Sequence, residues 1–143
     1  MAKTLRSMLV AACLLLIGCS SPENVEVSVD APTAVAQGER FEIRARVLNT
    51  ATKTQTLVDL DIADKYLDGI VIASTEPRFS EAIHIPISNV MSYSFDLPIE
   101  PGEELVVVLR AYAARPGDYA GTFDFCINSE TSFISYPART IVE

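Results

Sequence analysis

Phe41 to Val47 reads Phe-Glu-Ile-Arg-Ala-Arg-Val, apolar and charged side chains in strict alternation. Successive side chains of a strand point to opposite faces, so this order yields one apolar and one charged face; a helix scatters the same charges around its whole surface. The segment is a half-buried strand. Val25-Glu26-Val27-Ser28-Val29-Asp30 repeats the pattern and stops at Ala31-Pro32. Further strand candidates are Thr56 to Ile62, Ile70 to Ser74, Ala82 to Ile87, Met91 to Leu97, Leu105 to Tyr112, Tyr119 to Ile127 and Phe133 to Val142. Turn signals separate them: Gln37-Gly38-Glu39, Asp68-Gly69, Ser88-Asn89, Pro101-Gly102 and Pro116-Gly117. Asp64-Lys65-Tyr66-Leu67 reads as one short helical turn, and no stretch has the 3.6-residue period of a long amphipathic helix. Short strands at regular spacing predict an all-β fold, a sandwich of two antiparallel sheets over residues 25–143. With 143 residues the chain has room for one such domain.

The N-terminus is a different kind of segment. Lys3 and Arg6 precede the apolar run Met8 to Ile17, and Gly18-Cys19-Ser20-Ser21-Pro22 follows. A charged n-region and a short h-region make a signal peptide. The run is about half of the roughly 20 apolar residues that a spanning helix needs. Leu16-Ile17-Gly18-Cys19 resembles the lipobox of bacterial lipoproteins. That resemblance implies cleavage after Gly18, acyl chains such as palmitate on Cys19, and a mature chain anchored to the lipid bilayer rather than spanning it. Residues 1–18 are then the signal peptide and 19–24 the lipidated Cys and its tether, about five residues reaching at most about 18 Å. Ser20 stands where the family's inner-membrane retention signal is Asp, so a two-membrane host implies the outer membrane, on its periplasmic or surface face.

The strand grammar carries a second resemblance. Gly38-Glu39-Arg40-Phe41-Glu42-Ile43, Pro101-Gly102-Glu103-Glu104-Leu105-Val106-Val107 and Arg115 to Phe123 are similar to strands of Ig-like modules on bacterial surface proteins, including CARDB-type domains. The likeness implies an Ig-like antiparallel β-sandwich, and a fold of this kind assigns no activity.

Charge narrows the partners. Nineteen Asp and Glu face eleven Lys and Arg, a net charge of -8, and losing the leader removes two of the cations, Lys3 and Arg6. No basic footprint for nucleic acid exists.

Few side chains are suited to catalysis. The one histidine, His84, lies in Ile83-His84-Ile85-Pro86-Ile87 and points outward if the isoleucines face in. A hydrolase would rest on it alone, without a Gly-x-Ser-x-Gly elbow. Type 1 copper needs two His with a Cys. No cofactor is therefore expected, and no resident metal; the candidates for one are Asp59, Asp61, Asp64 and Asp68, with Asp59 and Asp61 on one strand face and a turn to bring the others near. The EF-hand register fails there, with Asp64 where that loop needs Gly and Ile70 where it needs Glu. Cys126 shares a strand face with Thr122 and Asp124; with Cys13 cleaved away and Cys19 acylated it is a possible reactive thiol without a partner in its chain. Tyr66, Tyr93, Tyr112, Tyr119 and Tyr136 make a weak glycan platform, since Tyr93 and Tyr119 run in phase with core residues. Arg40, Arg44 and Arg46 share a face for an anion, or for an ion-pair ladder with Glu42.

These readings converge on a non-catalytic, lipid-anchored protein of the cell envelope, acting through contact with a protein partner as an accessory or assembly component. The alternative is a surface ligand- or Ca2+-binding adhesion module built on Asp59 to Asp68.

Overall fold

The computed structural model describes Pro22 and residues 24–143; the leader, Cys13, Cys19 and most of the tether lie outside the described residues. In chain order the elements are β1 (Val25–Asp30), β2 (Ala34–Val35), β3 (Arg40–Asn49), β4 (Gln55–Ala63), α1 (Asp64–Leu67), β5 (Ile70–Glu76), β6 (Glu81–Ile85), β7 (Val90–Ile99), β8 (Glu104–Ala113), β9 (Gly117–Ile127) and β10 (Phe133–Val142). A four-stranded sheet has the order β1-β3-β8-β5, and a six-stranded sheet the order β2-β10-β9-β4-β7-β6. Pairing is antiparallel except between β2 and β10, where Ala34 and Val35 lie beside Ile141 and Val142. The expected all-β sandwich is the fold, and each strand read from alternation is present. β2 was not among them, because two residues are too few to show a period.

Alternation explains the core. Ile43, Ala45 and Val47 of β3 and Val107, Leu109 and Ala111 of β8 face inward from one sheet. Leu57, Leu60, Ile62, Phe123, Phe125 and Ile127 meet them from the other. Leu57 and Leu60 are three apart, so a regular strand cannot turn both inward. Between Leu57 and Asp59, β9 advances by one residue, from Ile127 to Cys126, and β7 by three, from Leu97 to Ser94. Val58 is the extra residue against β9, and the β7 irregularity includes Asp96 at φ 50°. This double bulge resets the phase, so Leu60 and Ile62 stay in the core while Asp59 and Asp61 emerge on the solvent side.

The helical turn α1 closes one end. Tyr66 is fully buried, its ring edge-on to Phe123 with centroids 5.2 Å apart. Its hydroxyl donates to Thr140 Oγ1 at 2.9 Å, and Thr140 in turn donates to the Pro32 carbonyl at 2.7 Å. Gly121 permits this approach, since a Cβ there would stand 2.8 Å from that of Ala63.

β6 corrects one expectation. Ile83 pairs with Ser92 and is 50% exposed, so the isoleucines of β6 do not face the core. His84 is exposed as expected, but it stands across from Met91, on the opposite side from Ile83. β6 is an edge strand that overhangs the core, and periodicity alone cannot reveal which strand has a neighbour on only one side.

Candidate functional site

The solvent-side face of the six-stranded sheet gathers carboxylates. β4 lies beside β9 with Asp59 opposite Cys126 and Asp61 opposite Asp124, and β7 contributes Ser94 and Ser92 from the other flank. Although on the outer side, Asp59 is only 6% exposed and Cys126 only 1%. Asp61 Oδ1 is buried and has no hydrogen-bond partner among the described residues, while Oδ2 accepts a weak bond from the Cys126 thiol at 3.7 Å. Ser135 donates to Asp124 Oδ1 at 2.6 Å. Burial raises the Asp61 pKa above the ordinary carboxylate value; a Ser92 hydrogen bond opposes this, and the charges of Asp59 and Asp124 add to it. Burial also raises the Cys126 thiol, reinforced by the neighbouring carboxylates. Burial and the raised pKa both disfavour the thiolate, the nucleophilic form of Cys126.

The other expected carboxylates do not join this group. Asp64 Oδ2 lies 2.8 Å from His84 Nε2, and Asp68 pairs with Arg115 at 2.8 Å while its carbonyl takes a second contact from the same guanidinium. Both partners hold their carboxylates beside α1, and the turn does not fold them back onto Asp59 and Asp61. Among the described residues, no three His, Cys, Asp or Glu side chains are placed to hold a metal ion. The Asp59 to Asp68 calcium reading therefore loses its ligand set.

Three of the five tyrosines, Tyr66, Tyr93 and Tyr119, are buried, so no glycan platform forms from them. The arginines of β3 divide. Arg44 pairs with Glu42 along the strand at 3.1 Å and Arg46 with Glu104 on β8 at 3.1 Å, so Glu42 is bonded within its own strand rather than across it. Arg40 takes no part in either pair.

Two residues escaped the sequence reading. Asp124 was placed beside Cys126 by alternation, but its approach to Asp61 depends on β9 pairing with β4, some sixty residues away in sequence. Arg110, opposite Glu42 and so diagonal to Arg40, is legible as outward-facing only once β3 is known to pair with β8.

No protein-family model and no curated protein sequence matches this chain. Solved structures do. The chain is similar to native E. coli alpha-2-macroglobulin at 13% identity and TM-score 0.50, over 84% of its own length and 7% of that chain. It is similar to the cupredoxin domain of amoB from Nitrosocaldus yellowstonii at 13% identity and TM-score 0.54, over 86% and 89%. AvmM, which catalyzes macrocyclization in alchivemycin A biosynthesis, matches at 8% identity and TM-score 0.54, over 85% and 90%. Likeness at such identities concerns fold alone. Type 1 copper takes two His with a Cys, and this chain has the single His84, hydrogen-bonded to Asp64. What these neighbours share with the chain is an Ig-like β-sandwich module.

Proposed function

We propose that this chain is a lipid-anchored bacterial envelope protein that binds a protein partner and catalyses no reaction. Leu16-Ile17-Gly18-Cys19 supports the anchor. No helix among the described residues is long and apolar enough to cross a membrane. Asn24 is tied to the end of β3, its carbonyl accepting from Thr50 N at 3.0 Å. A short tether from Cys19 to that point directs the β3–β4 and β9–β10 loops toward the lipid and α1 away from it. Ser20 after the lipidated Cys favours the outer membrane of a two-membrane host, and the CARDB-type resemblance is in keeping with a surface-module role.

The observation that carries the contact role is β6. It ends the six-stranded sheet, so one row of its backbone N–H and C=O groups has no neighbouring strand. Four of its five residues are exposed, Ile83 among them, and Ile87 just beyond is 92% exposed. Its guards are slight: the strand is short, carries one acidic residue, Glu81, and stops just before Pro86, with no Lys within it. An extended segment of a partner can add here as a further strand, with the isoleucines supplying apolar contact.

Intact mass of the protein from native membranes tests the anchor: acyl mass on Cys19 is expected, and its loss with release of the protein in Cys19→Ala. A photo-crosslinker at position 84 is expected to capture a protein, and Ile83→Lys to abolish the capture. A soluble, unmodified chain would remove the anchor, and crosslinking that captures nothing would remove the contact role.

A further inference from the structure

Seven arginines lie within the described residues, and four are engaged: Arg44 with Glu42, Arg46 with Glu104, Arg115 with Asp68 and Arg139 with Asp118. Arg40, Arg78 and Arg110 make no ion pair and no side-chain hydrogen bond among the described residues. They line two adjoining recesses. Arg40 and Arg110 line a recess of about 530 Å³ on the outer side of the four-stranded sheet, together with Glu42, Ser74 and Tyr112. Arg78 lines an adjoining recess of about 300 Å³ that shares Ala73 and Ser74 with the first.

The register explains the cluster. Arg40 stands opposite Tyr112 and Arg110 opposite Glu42, which makes the two arginines diagonal neighbours on adjacent strands. Beyond β8, the pairing of β5 slips between Ile72 and Ser74, leaving Ala73 as an extra residue. Such a bulge bends its strand and interrupts the surface row, and here it forms the floor shared by both recesses.

In a chain of net charge -8, cations are scarce and acids plentiful. Arg40 and Arg110, diagonal neighbours that form no ion pair of their own, repel one another, and a further anionic group between them would relieve this. The carboxylate in the recess, Glu42, is bonded to Arg44 instead. The guanidinium fork matches the oxygens of carboxylates and phosphates, and a recess of this volume suits a small molecule.

We infer that the paired recesses form a binding site for a small, multiply charged organic anion, a hydroxylated polycarboxylate or a phosphorylated compound. Arg40 and Arg110 grip one anionic group and Arg78 a second. Ser74 and Tyr112, the latter 39% exposed, offer hydroxyls, and Glu42 accepts from a ligand hydroxyl. The site is independent of the anchor, so Cys19→Ala is expected to bind as the parent does.

Isothermal titration of the full-length chain at low salt, with citrate and with fructose 1,6-bisphosphate as separate probes and glucose as the neutral control, tests this. At least one anion is expected to bind and glucose not. Arg110→Gln should weaken binding by about tenfold or more, and Arg110→Lys, which keeps the charge but loses the fork, by less. Arg139→Gln, whose partner is Asp118 on β9, should leave binding unchanged, with circular dichroism reporting the same fold in every variant. If neither anion binds at millimolar concentration, or if a folded Arg40→Gln/Arg110→Gln chain binds as tightly as the parent, the inference is overturned.

Discussion

Each solvent-side face of this sandwich holds charged side chains without an ion-pair partner among the described residues, acids on one and arginines on the other, and treats them in opposite ways. On the six-stranded sheet, Asp59, Asp61 and Asp124 sit together with Cys126, and two of those four side chains are almost wholly buried. On the four-stranded sheet, Arg40 and Arg110 stand exposed at a recess floored by the β5 bulge. Sheet order keeps the groups apart, because β4 and β9 lie in one sheet while β3 and β8 lie in the other. Burial and mutual repulsion raise the Asp61 pKa and make its charge a burden on the fold, whereas the arginines stand open to solvent and ligand. Changes on the acidic face should therefore move stability, and changes on the basic face should move binding.

The largest effect should come from the layer beneath the acids. Phe123 is fully buried against Tyr66, and Phe123→Ala is expected to lower unfolding free energy by about 3–5 kcal/mol in urea titration. Cys126 reports the same event chemically. In the parent it should resist iodoacetamide at neutral pH and react fully in urea, and Phe123→Ala should bring the native rate up. Rapid native labelling of the parent would show that the acidic face is open after all.

A smaller effect, of the opposite sign, is expected at Asp61. Its folded-state pKa is raised, so the folded chain takes up a proton more readily than the unfolded one. Stability from this group is present below the ordinary carboxylate value and is lost as pH rises through the raised value. At neutral pH the buried charge burdens the fold, and Asp61→Asn should stabilise it by about 1 kcal/mol. The gain should shrink as pH falls and Asp61 itself becomes neutral. A variant less stable than the parent at pH 7 would mean that the charge has a partner the geometry does not reveal.

Local pattern made the sandwich legible and left the faces illegible. Phe41 to Val47 announces a strand because each residue's side is fixed by its immediate neighbours. The Val58 bulge is hinted at by Leu57 and Leu60 three apart, yet it is decided by how two neighbouring strands pair. Asp64 and Asp68 illustrate the limit: nearness in sequence to Asp59 and Asp61 suggested one cluster, but His84 from β6 and Arg115 after β8 claim them. The arginine recess was half visible, since Arg40 was read as outward-facing with Arg44 and Arg46. Nothing local marks Arg110 as its diagonal neighbour, and nothing local shows that Glu42 would be taken by Arg44.

The smallest effects should appear among the arginines, where they separate paired from unpaired cations. Arg46 and Glu104 are each more than a third exposed, so the pair is screened by solvent and Arg46→Gln should cost no more than about 0.5 kcal/mol. Arg40→Gln removes a cation that has no ion-pair partner among the described residues and lies diagonal to Arg110, so it should leave stability unchanged or raise it slightly. Thermal melts at low salt and again near 1 M salt distinguish the two, because surface Coulomb contributions collapse when the Debye length falls to about 3 Å. The small loss in Arg46→Gln should disappear at high salt, and any gain in Arg40→Gln should disappear with it. A loss in Arg40→Gln comparable to that in Arg46→Gln would mean that Arg40 already has a counter-charge within the chain, and the contrast between the two faces would then fail at its basic end.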